Sequence, residues 1–223
     1  VRTVYIHGLF ELIERHMPKR APKIKDKWRE KTWISVLTPK SFGSIEVAQI
    51  PVTKVEYALG RTVESTLFDI LKQDPQHYNI KLYFRIDKIE EERAYTTFKG
   101  HEYSREFMKS LVRRGSSMVN FIGDYTTRDG YVVRVYVSAF TQGRVNSSKK
   151  SSIRKAADSV IKEKVPSLTY DQFVQEVVLG KLGADIFAEA KKVTAIRQLN
   201  IRKTKLIHTP EEKKEIAPAM PSS

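Results

Sequence analysis

The sequence predicts an α+β fold in which strands come first and helices dominate the C-terminal half. Three observations carry this reading. Ile80, Leu82, Phe84 and Ile86 alternate with Lys81, Tyr83, Arg85 and Asp87, the period of two of a half-buried antiparallel strand. Thr127-Arg128-Asp129-Gly130 separates two β-rich runs, and Asp-Gly there marks a hairpin because glycine accepts the positive φ of such a turn. Beyond residue 152 the apolar residues recur at helical spacing, starting with Ile153, Ala156, Ala157, Val160 and Ile161.

From the N-terminus, Tyr5, Ile6, Leu9, Phe10 and Ile13 fall at helix-like spacing ahead of Pro18. Residues 1–22 are set apart as an extension, and Pro18 to Lys27 reads as an extended basic arm that takes no structure without a partner. Thr32 to Leu37, Ser44 to Gln49 and Arg61 to Asp69 read as strands, each rich in β-branched or aromatic residues. The alternating strand at Ile80 should return as Arg93 to Lys99 after the acidic turn Glu90–Glu92, with Gly100 breaking the pattern. Ser104 can cap a helix with Glu106 in its first turn, Arg113–Arg114 in its last, and Phe107, Leu111 and Val112 on its apolar face. Met118 to Tyr125 and Tyr131 to Phe140 flank the hairpin turn.

Gly143 to Ser152 reads as a Ser/Lys-rich loop between the two halves. The helix through Ile153 ends at Pro166. Thr169-Tyr170-Asp171-Gln172 is a capping box for a second helix carrying Phe173, Val177 and Val178, stopped by Gly180. Ala184 to Val193 makes a third helix, and Leu199 to Ile207 a final basic strand. The body therefore spans 23–208, β-rich over 31–140, helix-rich over 151–194, with its last strand at 199–207. Residues 209–223, with three prolines and mixed charge, form a disordered tail.

The 223 residues carry 40 Lys+Arg against 26 Asp+Glu, a formal net charge of +14. Net charge speaks to partners rather than topology, and a polyanion such as nucleic acid relieves the self-repulsion. The charge falls in blocks. Arg15 to Lys31 holds Arg15, Lys19, Arg20, Lys23, Lys25, Lys27, Arg29 and Lys31 against Asp26 and Glu30. Residues 141–155 hold Arg144, Lys149, Lys150, Arg154 and Lys155 with no acid, and residues 191–208 hold Lys191, Lys192, Arg197, Arg202, Lys203 and Lys205, again with none. Arg113–Arg114 and Arg128 are further cations suited to phosphate contact. Trp28, between Lys27 and Arg29, is suited either to stack on a base or to anchor the arm to the body.

Other chemistries find no footing. With no cysteine, disulfides, thiolate metal sites and a cysteine nucleophile are excluded. The five histidines are scattered without ligand spacing, and no phosphate-binding glycine motif or GxSxG elbow occurs. Glu90–Glu92 is a solvated turn rather than an acid/base pair, so neither an enzyme, a metal site nor a cofactor is expected. No apolar run approaches the roughly 18–20 residues of a spanning helix, no lipidation motif or signal peptide is recognisable, and a cytosolic placement is the default.

Lys25-Asp26-Lys27-Trp28, Lys31-Thr32-Trp33 and Thr38-Pro39-Lys40-Ser41-Phe42-Gly43 resemble the opening of the eukaryotic-type small-subunit ribosomal protein one family, formerly S-three-A, of archaea and eukaryotes. The likeness continues through Gly60-Arg61-Thr62-Val63-Glu64, Phe98-Lys99-Gly100-His101-Glu102, Thr126-Thr127-Arg128-Asp129-Gly130-Tyr131, Ile153-Arg154-Lys155 and Arg202-Lys203. Short loops and the absence of cysteine resemble the archaeal branch, while residues 1–22 depart from the pattern. The resemblance implies a structural constituent of the small ribosomal subunit with a β-barrel-like body. It would sit on the platform near the messenger exit, against ribosomal RNA and neighbouring ribosomal proteins, with messenger RNA nearby and no catalytic residue.

The residues expected to touch RNA are Lys23, Lys25, Lys27, Trp28, Arg29, Lys31, Lys40, Arg113, Arg114, Arg128, Arg144, Lys149, Lys150, Arg154, Lys155, Arg197, Arg202, Lys203 and Lys205. Recognition is expected to be largely of backbone and shape, with a few stacked bases. A dissociable RNA-binding translation or processing factor would share this profile and is the alternative.

Overall fold

The computed structural model describes residues 28–210. The helix expected at residues 5–13, the basic arm through Lys27 and the tail from residue 211 lie outside the described residues. Residues 28–31 belong to a unit of their own, a turn in which the Lys31 N–H donates to the Trp28 carbonyl at 3.2 Å. From Thr32 onward the chain forms one α+β body.

Among the described residues eight strands make a single sheet: β1 (Thr32–Leu37), β2 (Glu46–Val52), β3 (Thr62–Thr66), β4 (Ile80–Glu90), β5 (Arg93–Tyr103), β6 (Met118–Thr126), β7 (Val132–Thr141) and β8 (Ile196–His208). The path runs β2-β1-β5-β8-β7-β6, and β4 joins β5 and carries β3. The sheet is open rather than a closed barrel, because among the described residues its end strands β2, β3 and β6 each keep a single strand neighbour. The long strand β5 is the hub. Its start, Arg93–Tyr95, pairs parallel with Ser35–Leu37, whereas near its end Glu102 pairs with Lys203 of β8. Gly100 does not end β5; it lies inside the strand, where its bare Cα lets the β8 backbone come close.

Three further expectations change. The strand entered at Arg61 stops at Thr66, where a capping box starts α1 (Leu67–Leu71): the Asp69 N–H donates to Thr66 Oγ1 at 3.2 Å and the Thr66 N–H donates to the Asp69 carboxylate at 3.1 Å. Ser104 does cap α2 (Arg105–Ser110), its hydroxyl accepting from the Phe107 N–H, but the helix is shorter than expected. Met108 is its buried residue, Val112 is exposed, and Arg113–Arg114 fall in the loop beyond it. The Ser/Lys-rich stretch is mostly helix: α3 (Ser147–Lys164) begins after Asn146, whose carbonyl accepts from the Lys150 N–H at 3.1 Å.

Helix α4 (Tyr170–Val178) starts at the expected capping box, and α5 (Lys181–Val193) follows Gly180. Ile153 and Ile161 of α3, Phe173 of α4 and Ile186 of α5 share one buried cluster with Val119, Val135, Val137 and Ile201 of the sheet. Each such side chain contributes roughly 1.5–3 kcal/mol by leaving water. The hairpin tip is fastened to the start of α4, where the Arg128 N–H donates to the Leu168 carbonyl at 3.0 Å and the Tyr170 N–H to the Asp129 carboxylate at 2.9 Å.

Gly183 is buried within α5, yet a Cβ built there meets no atom within 4 Å. Gly183→Ala should therefore stabilise the body by roughly 0.5–1 kcal/mol, because alanine has fewer unfolded conformations to lose and a better helix propensity. The expected readout is a higher urea midpoint at unchanged slope.

Candidate nucleic-acid interface

Once the strands are paired, the expected RNA-binding cations of the body sort into three places. The first is the end of the sheet where β6 begins, β7 finishes and β8 begins. There the loop after α2 is locked to the loop before α3: the Thr141 N–H donates to the Ser117 carbonyl and the Ser117 N–H to Thr141 Oγ1, both at 3.0 Å. The Val145 N–H donates to Ser117 Oγ at 3.1 Å, and the Gln142 N–H to the Ala195 carbonyl at 3.0 Å. The Arg197 guanidinium donates to the Leu111 carbonyl, and Arg154 Nε donates to the Asn120 carbonyl at 3.0 Å.

These bonds gather Arg113, Arg114, Arg144, Lys149, Lys150, Arg154 and Arg197 at one end of the body. Residues 107–123, 139–157 and 190–208, which build it, contain no Asp or Glu. Among the described residues Arg113, Arg114, Arg144, Lys149 and Lys150 have no ion-pair partner, and all but the half-buried Lys150 are exposed. Asn146 gives α3 no side-chain cap and the first turn holds no acid, so the positive helix pole adds to the same field. Uncompensated charge of one sign is a standing cost that an approaching phosphate chain removes. Lys155, also exposed, lies one residue beyond Arg154 on α3.

The second place is the sheet itself, and its charge is largely cancelled in register. Lys203 sits opposite Glu102 and its Nζ lies 2.7 Å from the carboxylate. Arg134 faces Asp124 across the hairpin and grips it with two bonds of 2.6 and 2.7 Å, which hold the Asp124 carboxyl below its ordinary pKa. Lys81 and Glu64, diagonal neighbours on β4 and β3, pair at 2.7 Å. Lys203 thus serves the fold, while Lys205 is exposed without an ion pair among the described residues and Arg202 occupies the register shift between Tyr136 and Val137.

The third place is the opposite pole. Arg128 is at the hairpin tip, about 30 Å from the basic end at roughly 3.4 Å per strand residue. Lys40 lies in a short 3-10 turn, Lys40–Phe42, and lines a crevice with Asp129 and Asp171. Acids therefore accompany the cations here. In the separate N-terminal unit, Trp28 is exposed and the Lys31 ammonium stands 3.6 Å from the centre of its ring, a cation–π contact; Arg29 beside it is also exposed. Lys23, Lys25 and Lys27 lie outside the described residues.

Arg134 and Asp124 meet because the hairpin register is centred on Asp129; a two-residue Asp-Gly turn would instead set Arg134 opposite Tyr125. Lys203–Glu102 had no such local signal. Among the described residues no three His, Cys, Asp or Glu side chains are grouped to hold a metal, and no helix is long and apolar enough to cross a membrane. His101 is a core residue, its Nδ1 2.7 Å from Thr204 Oγ1 and its Nε2 3.0 Å from the Ile201 carbonyl.

Residues 19–210 match the profile of the Ribosomal S3Ae family. The small ribosomal subunit protein eS1 of Saccharolobus solfataricus is 43% identical over 195 residues, covering 87% of this chain and 93% of that protein. The protein of the same name from Sulfurisphaera tokodaii is 43% identical over 187 residues, covering 84% and 96%.

Proposed function

Because this chain belongs to the Ribosomal S3Ae family, we propose that it is a structural constituent of the small ribosomal subunit that docks on ribosomal RNA through its acid-free basic end. Its archaeal relatives carry the name of a small-subunit protein, and a structural ribosomal protein, not an enzyme, is what the family provides. Association with ribosomal RNA and neighbouring ribosomal proteins in the cytoplasmic ribosome follows from that membership. A seat on the platform near the messenger exit, with messenger RNA nearby, rests on the resemblance of the motifs quoted above.

The observation that carries the surface assignment is the convergence of Arg113, Arg114, Arg144, Lys149 and Lys150 from separate segments onto one end that holds no acid. Arg154 and Arg197 are partly committed to backbone carbonyls and support the shape of that end while extending its charge. The pattern suits recognition of phosphates and helical shape more than base sequence.

The test compares binding of small-subunit ribosomal RNA across a salt series. Replacing Arg113, Arg144, Lys149 and Lys150 by glutamine should flatten the plot of log affinity against log salt by roughly 3–3.6, since each lost phosphate contact removes about 0.7–0.9. Replacing Lys40 and Arg128 at the other pole should change it far less. The reverse ranking would overturn the assignment. In cell lysate, a chain that stays with the small subunit through a high-salt wash is a constituent; one that leaves with the wash is a factor.

A further inference from the structure

We propose that a cavity where β5 and β8 diverge receives one unstacked nucleobase of the bound RNA; the inference rests on the reading that the body binds ribosomal RNA. The topology makes the opening. β8 pairs with β5 only at Glu102–Lys203, so its earlier residues are held by β7 alone, and β5 turns away at Tyr103 into α2. The 3-10 turn Pro75–Asn79 and the junction of α4 with α5 complete a cavity of 430 Å³.

Its chemistry is that of a flat heterocycle's site. Tyr103 and Phe107 form one wall, their rings stacked at 5.5 Å and 22°. His77 Nδ1 and Asn200 Nδ2, both on lining residues, are buried polar atoms with no hydrogen-bond partner among the described residues. Such atoms are costly to leave unpaired, and a ring that carries donors and acceptors on its edge supplies what they lack once the His77 and Asn200 side chains turn toward it. Among the described residues no Lys or Arg lines the cavity, and the one charged lining residue is Asp74, whose carboxylate is 3.9 Å from His77 Nε2. A phosphate is therefore disfavoured inside and a neutral base is favoured. The phosphates have their place next door, because Gln198 of the lining directly follows Arg197 of the basic end.

The full-length chain can be titrated with fluorescently labelled single-stranded RNA hexamers, each of one base, and with an abasic ribose-phosphate chain of equal length. A base in the cavity should make at least one hexamer bind roughly tenfold tighter than the abasic chain. Asn200→Leu, which has no bond at Nδ2 to lose, and Phe107→Leu should each abolish that preference while keeping the abasic affinity and a wild-type melting transition. Equal binding of the hexamers and the abasic chain to the wild-type protein overturns the base site but leaves the phosphate surface standing. A preference that survives both substitutions likewise overturns it, and failure of every chain to bind overturns the RNA reading together with the inference.

Discussion

Replacing Gly100 by alanine is expected to lower the unfolding free energy by roughly 3 kcal/mol or more, an effect at the severe end for one added methyl. A Cβ at this position would stand 2.1 Å from the Thr204 carbonyl oxygen, 3.0 Å from its carbon and 3.2 Å from the Lys205 Cα. These are backbone atoms and cannot swing aside as a side chain can. Relief requires β8 to withdraw from β5, which breaks the Glu102–Lys203 pair that joins them. Withdrawal also strips the buried His101 of its bonds to Thr204 and Ile201, leaving polar atoms unpaired at about 1–3 kcal/mol. Urea unfolding of Gly100→Ala should show a sharply lower midpoint. Gly143→Ala, where a Cβ meets no atom within 4 Å, should unfold like the wild type. A wild-type midpoint for Gly100→Ala would mean that β8 yields at no cost.

The same junction marks where sequence reading stops. β4 and the β6–β7 hairpin were legible because their signals are local: strict alternation in one, an Asp-Gly turn between β-rich runs in the other. The capping box at Thr169 was legible for the same reason. Two helix starts carried equally local signals that were outweighed. Thr66-Leu67-Phe68-Asp69 has the capping-box spacing but sits in a run of β-branched residues, and Asn146 can begin a helix although its neighbours have the composition of a loop. Gly100 is different. Its role depends on a strand about a hundred residues later, and no local pattern separates a strand-ending glycine from one that admits a neighbouring backbone.

The candidate interface divides along the same line. Acid-free stretches are visible in the sequence, so Arg144, Lys149, Lys150 and Arg197 could be named from composition. That the loop at Arg113–Arg114 joins them depends on Ser117 and Thr141 exchanging bonds and on Arg197 reaching Leu111. Composition also overstates Lys203, whose charge is met by Glu102 on the neighbouring strand. A count of cations therefore overstates the uncompensated charge, and the sheet register decides which of them are met by an acid on a neighbouring strand.

Stability should fall by up to about 3 kcal/mol between pH 6.5 and 4, with His101 as the cause. Complete burial drives its pKa from 6.5 down to about 4, against smaller opposing help from the Ile201 carbonyl and the Glu102 charge. A carbonyl can only accept, so Nε2 carries the proton and Nδ1 accepts from the Thr204 hydroxyl, which in turn accepts from the His101 N–H. The neutral ring is thus fully satisfied, and a second proton at Nδ1 would displace the hydroxyl hydrogen bond as well as charge a buried group. The unfolded chain takes up that proton below 6.5 while the folded chain refuses it until about 4, so the loss begins at the upper value and levels off at the lower. Asp124 and Asp158, held below their ordinary values by Arg134 and Lys162, lose stability only at more acid pH and do not mimic the effect. Urea midpoints measured across this range should decline for the wild type and stay nearly level for His101→Gln, which starts lower at neutral pH because its amide cannot reproduce the ring's two bonds. A wild-type curve that is flat down to pH 4 would show that water or a local opening reaches His101, and that β5 and β8 separate there far more readily than their packing implies.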